Sequence, residues 1–229
     1  MTVIMRIACL ANSRKFGGRC IAIKKMTPAL GGHWVRPISA RATEEVSEEE
    51  RRYQNGSDPR VLDIIDVPLK VAHPRTYQSE NWVIEPEQPW ELAGRLVWSD
   101  LETLADDPPT LWLNNSSSYN GLHDRVVLAD AERLRSSLYL LHVRNLAVRV
   151  FAPGEAFGNP KRRVQAIFSH RGVEYRLWVT DAPVEREFLA MVDGEYRIGE
   201  AYVTVSLAEP HDDGYSYKLV AAIIRPDVK

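Results

Sequence analysis

The chain has 229 residues, 45% of them hydrophobic and 26% charged, a composition typical of a soluble globular protein with enough core to fold unaided. Its formal net charge of -2 argues against a protein that coats DNA with its whole surface. No apolar run approaches the roughly 18 residues that would span a membrane, and residues 1–9 are too short for a secretory signal. We therefore expect a cytoplasmic protein with no membrane partner.

The two cysteines of the chain are Cys9 and Cys20. A structural zinc site usually needs about four Cys or His ligands at short spacing, and the sequence arranges none in that way. The pair therefore predicts neither a zinc site nor a disulfide framework, but two small buried thiols on adjacent strands in a reducing compartment. We expect no metal and no cofactor.

Residues 1–43 are strongly basic, since they hold eight Lys or Arg and no Asp or Glu. Apolar runs predict strands at 3–10 and 19–24, joined by a turn at Gly17-Gly18, where glycine permits the required backbone conformations. Cations beside unshielded backbone amides in this turn could bind a phosphate or a carboxylate. These cations are Arg14, Lys15 and Arg19. A solvated basic hairpin tip is the alternative, and a Walker motif is excluded because the terminal Gly-Lys-Ser/Thr is missing.

The next elements are two strands and a short helix. The strands are predicted at 33–38 and 61–71, and the helix at a capping-box pattern that begins with Ser47. Trp34 and Arg36 fall on one face of the first strand, where an aromatic ring beside an arginine suits base stacking with phosphate pairing. A tryptophan packed in the core is the alternative.

The middle of the chain is acidic and irregular. Residues 77–132 contain eleven Asp or Glu and only two basic side chains, Arg95 and Arg125. The separation of this acidic segment from the basic segments of the chain predicts an acidic face that could contact a protein partner. The alternative is that the acidic and basic segments form two unrelated solvated surfaces. His123 stands next to Asp124, but without a placed nucleophile we assign both residues to a loop.

The pattern is clearest near the end of the chain. Strand-like runs occupy about 142–152, 161–169, 173–180, 200–208 and 215–225. Between the third and fourth runs, residues 182–192 carry an apolar stripe at helical spacing, with Pro183 near the first turn. Three strands, one helix and two strands is the order of a five-stranded OB-type barrel.

Alternation along the second and third of these strands predicts a binding face. Their outward and flanking residues include Lys161, Arg162, Arg163, Arg176 and Trp178. A basic groove with stacking platforms is the combination that binds single-stranded nucleic acid. The alternative is an ordinary barrel exterior on which arginine stems pack over apolar rings.

Segments in both halves of the chain together form a recognisable pattern. They are Cys9-Leu-Ala-Asn-Ser-Arg-Lys15, Gly18-Arg-Cys-Ile-Ala22, Trp34-Val-Arg-Pro-Ile-Ser39, Glu80-Asn81-Trp82, Val205-Ser-Leu-Ala-Glu-Pro210 and Tyr217-Lys-Leu-Val-Ala-Ala222. This pattern resembles the dual OB-containing domain family of prokaryotes over nearly the whole chain. The resemblance implies that the N-terminal part is also an OB-like barrel, and that the protein acts in bacterial conflict or defence systems through nucleic-acid or nucleotide recognition. It brings no agreed catalytic residues.

We therefore predict an α+β, mostly β fold with two OB-like β-barrels, short helices and an acidic connector. The predicted parts are an N-terminal OB-like domain at 1–75, the connector at 76–140 and a C-terminal OB barrel at 141–229. The predicted function is a non-catalytic module that binds nucleic acid, in single-stranded form.

Two alternatives remain open at this point. The first is an enzyme or sensor for a small nucleotide or another anionic metabolite, using the basic Gly-Gly loop with His33, Asn81 or His123 as polar groups. The sequence offers no coherent metal cluster, nucleophile elbow or acid–base pair for it. The second is a protein-interaction adaptor that uses the acidic middle, for which we would expect a large apolar patch.

Overall fold

The computed structural model describes residues 2–15, 18–25 and 32–226, except for the side chain of Lys15. Over these residues the chain is mostly β and forms two sheets. The four α-helices found there are short, and they are α1 (Glu48–Arg51), α2 (Leu101–Leu104), α3 (Leu128–Ala131) and α4 (Ala182–Leu189). None of the helices in this part of the chain is long and apolar enough to cross a membrane.

The first sheet closes into a barrel. Its strands are β1 (Val3–Lys15), β2 (Gly18–Lys25), β3 (Trp34–Ile38), β4 (Asp63–Ala72), β5 (Asn81–Ile84) and β6 (Glu91–Arg95). They pair in the order β1-β2-β3-β5-β4, and β4 pairs again with β1, while β6 extends the sheet beside β4. Ile7 has partners on both sides, Lys25 and Ile65, and a bulge between Cys9 and Ala11 bends the strand so that it can serve both neighbours.

The second sheet repeats the same path. Its strands are β7 (Arg125–Val127), β8 (Leu138–Phe151), β9 (Arg163–His170), β10 (Val173–Val179), β11 (Gly194–Pro210) and β12 (Tyr215–Ile224). The barrel strands pair in the order β8-β9-β10-β12-β11, and β11 pairs again with β8 to close the barrel. Along the chain, α4 lies between β10 and β11. In both barrels the third and fifth strands in chain order form a parallel pair, which is β3 with β5 in the first barrel and β10 with β12 in the second. The predicted class, a mostly β fold with OB-like barrels, is therefore confirmed.

The stretch predicted as a connector contributes strands to both sheets. β5 and β6 belong to the first sheet, and β7 pairs with β12 in the second. Trp90, which precedes β6, is fully buried in the first core. The first barrel therefore draws residues from beyond position 75, because its fifth strand follows a loop after β4.

A mostly apolar interface joins the two barrels. One cluster contains Ala8, Leu10, Leu140, Tyr202 and Ile224, and a second contains Ala11, Ala22, Leu138, Ala221 and Ala222. The many alanines let the strands approach closely. Across the same interface, the Thr204 hydroxyl donates a hydrogen bond to the Leu10 carbonyl at 2.6 Å. The two thiols lie on adjacent strands as predicted, but only Cys9, on β1, is buried, whereas Cys20, on β2, is partly exposed.

The second barrel holds a fully buried lysine, Lys218. Its Nζ donates to the Leu113 carbonyl at 2.7 Å and to Asn114 Oδ1 at 3.2 Å. Burial lowers the pKa of Lys218 from 10.5 to about 7, although the Asp124 carboxylate opposes this. A neutral amine has two N–H groups, which is the number that these two acceptors need.

This lysine predicts a stability that rises with pH. Between pH 7 and 10 the unfolded chain binds the Lys218 proton while the folded chain releases it, so we expect the free energy of unfolding to increase by about 2 kcal/mol from pH 7 to 9. Urea unfolding at the two pH values measures it. The increase should disappear in Lys218→Met, and an equal increase in both proteins would contradict the assignment.

Candidate nucleic-acid interface

A groove of about 870 Å³ crosses the outside of the second barrel. Residues of β9 and β10 line it, together with the loop at 152–162, which joins β8 to β9, and the loop that joins β11 to β12. In OB-folds, this face and the corresponding two loops bind oligonucleotides and oligosaccharides. We call it the barrel groove.

The floor of the barrel groove pairs an arginine with a tryptophan. The guanidinium carbon of Arg163 lies 4.0 Å from the centroid of the Trp178 ring, and Phe151 stacks on the same ring at 5.7 Å. These contacts leave Trp178 only 8% exposed, and burial lowers the pKa of Arg163. Trp178 is therefore a covered support, and Arg163 is the group presented to a ligand.

The orientation of these strands follows the alternation in the sequence. Arg163 and Trp178 point outward, and Val164 lies in the barrel core. Arg176 is exposed on the same strand as Trp178, but its guanidinium pairs with Glu174 at 2.9 Å, and it does not line the barrel groove. Of the residues predicted for this face, the groove therefore gathers Lys161, Arg163 and Trp178.

Two exposed aromatic rings stand beside the barrel groove. Tyr119 lines it and is 80% exposed, and Phe157, in the 152–162 loop, is 74% exposed. Their centroids are 5.8 Å apart in an edge-to-face arrangement. Such rings can stack on unpaired bases. The sequence reasoning missed both because loops have no periodicity that marks a face, and the available signal was an aromatic residue within a polar, glycine-containing loop.

Hydrogen bonds hold the loop that carries Tyr119. The buried carboxylate of Asp124 accepts from the Ser118 backbone N–H at 2.7 Å and also from the Ser118 hydroxyl. The side chain of Gln165, on β9, donates to the Asn120 carbonyl at 2.7 Å. The ring of Tyr119 is therefore carried on a fixed backbone, so little entropy is lost when a ligand binds to it. Asp124 has the loop role that its sequence context indicated.

The first barrel also contributes to the barrel groove. Arg14, near the end of β1, donates its backbone N–H to the Thr180 carbonyl at 3.0 Å, and its guanidinium pairs with Glu185 on α4. Lys161, in the 152–162 loop, is exposed at the same groove. Arg14, Lys161 and Arg163 thus place three cations around one surface that also carries Tyr119.

A second cleft, of about 770 Å³, adjoins this groove and is lined by both barrels. Its cations are Arg14, Arg19, Arg51, Lys161, Arg162 and Arg186, and its carboxylates are Glu48 and Glu185. We call it the arginine cleft. Arg162 is anchored at the end of α4, where it pairs with Asp193 at 2.6 Å and donates to the Leu189 carbonyl at 3.0 Å. The predicted contributions of Gly17 and the Lys15 side chain lie outside the described residues.

Arg36 lies at the joint between the barrels and is only 3% exposed. One terminal nitrogen donates to Cys20 Sγ at 2.7 Å, and the other contacts the hydroxyls of Ser137 at 2.9 Å and Ser206 at 3.3 Å. Ser206 belongs to β11 of the second barrel. The sequence predicted a phosphate contact for Arg36, but the second barrel covers this face of β3, so we assign Arg36 to the joint.

Trp34 also lies against the second barrel. Its Nε1 donates to Asp106 Oδ2 at 3.1 Å, and the same carboxylate oxygen accepts from the Leu140 backbone N–H at 2.8 Å. The ammonium of Lys24 lies 4.8 Å from the Trp34 ring centroid and pairs with Asp106 at 2.6 Å. Burial lowers the pKa of Lys24, and Asp106 opposes that effect. Trp34 therefore has the packing role that was its alternative, away from the barrel groove.

The residues considered for a small-nucleotide site are dispersed. His33 is exposed near Trp34, Asn81 is buried where β5 pairs with β3, and His123 lies in the loop before β7. A Cβ added at Gly18 would lie 2.6 Å from Glu45 Cγ, so the glycine at this position allows the Glu45 side chain to pack directly against the backbone. Within the described ranges, no group of three or more His, Cys, Asp or Glu could hold a metal ion.

Several carboxylates of the acidic middle bind partners within the chain. Asp107 pairs with Arg171, and Glu85 pairs with Lys70 at 3.1 Å. The buried Glu80 accepts from the Ser137 backbone N–H at 2.6 Å. These carboxylates have partners within the chain, and the acidic middle is therefore only in part a charged outer face.

The chain matches the family model described as the dual OB-containing domain over residues 5–223, nearly its whole length. No curated protein and no solved structure gives a significant match. Two closed barrels with the same strand path are the architecture that this family description names. The chain therefore belongs to the dual OB-containing domain family.

Proposed function

We propose that this protein is a non-catalytic module that binds single-stranded nucleic acid in the barrel groove. The observation that carries the proposal is the placement of the exposed rings of Tyr119 and Phe157 beside three cations, on the face that OB-folds use for oligonucleotides. Base stacking and phosphate pairing are the two interactions that such a surface supplies.

The side chains divide these two tasks. Tyr119 and Phe157 would stack on bases, which is possible only where bases are unpaired, and this favours single strands over duplexes. Arg14, Lys161 and Arg163 would pair with backbone phosphates, and the Trp178 ring supports the last of them from below. Membership of a bacterial conflict or defence system, which the resemblance in sequence implies, is part of the same proposal.

A fluorescence-polarisation titration tests the proposed function. Labelled single-stranded RNA, single-stranded DNA and duplex DNA are titrated with the protein at about 50 and about 200 mM salt. We expect the single strands to bind more tightly than the duplex. With three phosphate contacts, their affinity should fall by roughly 20-fold between the two salt concentrations.

Two results of this titration would contradict the proposal. If neither single-stranded RNA nor single-stranded DNA bound at low salt, the barrel groove would be excluded as an oligonucleotide site. Equal affinity for duplex and single strand would exclude base stacking on Tyr119 and Phe157. In the first case, a thermal-shift screen of mononucleotides would test the alternative of a small-nucleotide or anionic-metabolite sensor or enzyme.

A further inference from the structure

The arginine cleft holds more cations than its own carboxylates neutralise. Three of its cations have carboxylate partners, since Arg14 pairs with Glu185, Arg51 with Asp58 and Arg162 with Asp193. The remaining three make no ion pair with any residue that the structure describes. They are Arg19, Lys161 and Arg186.

Arg19 is at the centre of this excess charge. It lies on β2, where its backbone pairs with Val46, and its side chain is partly buried. Burial lowers the pKa of Arg19, and the nearby charges of Arg51, Arg14 and Arg186 act in the same direction, while the Asp58 carboxylate, which pairs with Arg51, opposes them. Guanidinium groups that repel one another in a cleft are stabilised by a bound anion, and phosphate matches their geometry.

The cleft continues into the barrel groove and is built by both barrels. Arg14, Lys161 and Glu185 line both surfaces. Arg19 comes from the first barrel and Arg186 from the second, and the apolar interface between the barrels sets their spacing. An extended ligand that fills the barrel groove and passes Arg14 therefore meets the uncompensated cations next.

We propose that the arginine cleft binds backbone phosphates of the same strand whose bases lie in the barrel groove, so that the two barrels form one continuous site. The ligand class is a phosphodiester chain long enough to leave the groove. This inference rests on the proposed function, and it adds that affinity depends on strand length through residues of both barrels.

The double variant Arg19→Ala/Arg186→Ala tests the inference with oligothymidylates of about five and about fifteen nucleotides. We expect the longer strand to lose affinity on the order of tenfold, because two phosphate contacts disappear, while the shorter strand loses less than about twofold. The matched control is Arg133→Ala/Arg144→Ala, which removes two exposed arginines that lie outside both surfaces. It should change both affinities by less than about twofold.

The possible results separate the two proposals. If the wild type binds neither strand, the proposed function fails and the inference fails with it. If the wild type binds both strands, and the double variant loses affinity equally for both strands or for neither, the continuous site is contradicted while the proposal of the barrel groove is unaffected. The double variant could also lose the thermal shift that inorganic pyrophosphate gives the wild type, while its affinity depends on strand length as in the wild type. This result would make the cleft a separate small-anion site and would also overturn the inference.

Discussion

Replacing Arg36 with alanine is expected to lower the free energy of unfolding by about 3 kcal/mol, because buried hydrogen bonds to a charged group are lost, although Arg36 touches neither the barrel groove nor the arginine cleft. The substitution removes a buried guanidinium that bridges Ser137 and Ser206 and leaves their hydroxyls without this donor. It also leaves Glu80, which accepts from the Ser137 hydroxyl at 3.0 Å, without the nearby positive charge. Urea unfolding followed by tryptophan fluorescence measures the change.

A matched exposed arginine provides the control for this experiment. Arg144→Ala, on β8, removes the same kind of side chain from the surface and should change stability by less than about 0.5 kcal/mol. If Arg36→Ala lost no more stability than this control, the guanidinium would not hold the joint between the barrels, and its assignment would be incorrect.

Replacing Tyr119 and Phe157 together with alanine is expected to weaken binding of a single strand by roughly 30-fold, because stacking is worth about 1–3 kcal/mol per base. The rings are 80% and 74% exposed, so the fold should lose little stability. No charge is removed, and the dependence of affinity on salt should stay unchanged. Polarisation titrations of wild type and variant at several salt concentrations measure both quantities.

Exposed apolar residues elsewhere supply the control for the ring substitutions. Leu92→Ala/Val97→Ala removes two side chains that are exposed near β6 of the first barrel. This variant should bind like the wild type. If both double variants weakened binding alike, or if loss of the rings had no effect, base stacking would not contribute at Tyr119 and Phe157.

Periodicity in the sequence was sufficient for the second barrel and less so for the first. Alternation over β9 and β10 placed their apolar residues inside, because one face of each strand packs on a continuous core. β5 has four residues, and β6 carries a glycine at position 94, so neither shows a readable alternation. Their membership in the first sheet is set by pairing with β4, which local sequence does not encode.

The candidate site shows the same division between local and distant information. The two-residue alternation correctly predicted that Arg163 and Trp178 face outward. It did not predict that Arg163 stacks over the Trp178 ring. Trp34 and Arg36 were correctly placed on a strand, yet the partners that cover them, such as Ser206, lie far along the chain. Which face of a barrel is free is decided by the other barrel.

The most direct test of the central claim is to find where a single strand touches the protein. A photoreactive oligothymidylate of about ten nucleotides is cross-linked to the protein, and the attached peptides are identified by mass spectrometry. Binding in the barrel groove predicts adducts on peptides that contain Tyr119 or Phe157. Adducts confined to other faces, such as the region of Trp82 on β5, or no adducts at saturating protein, would contradict the account.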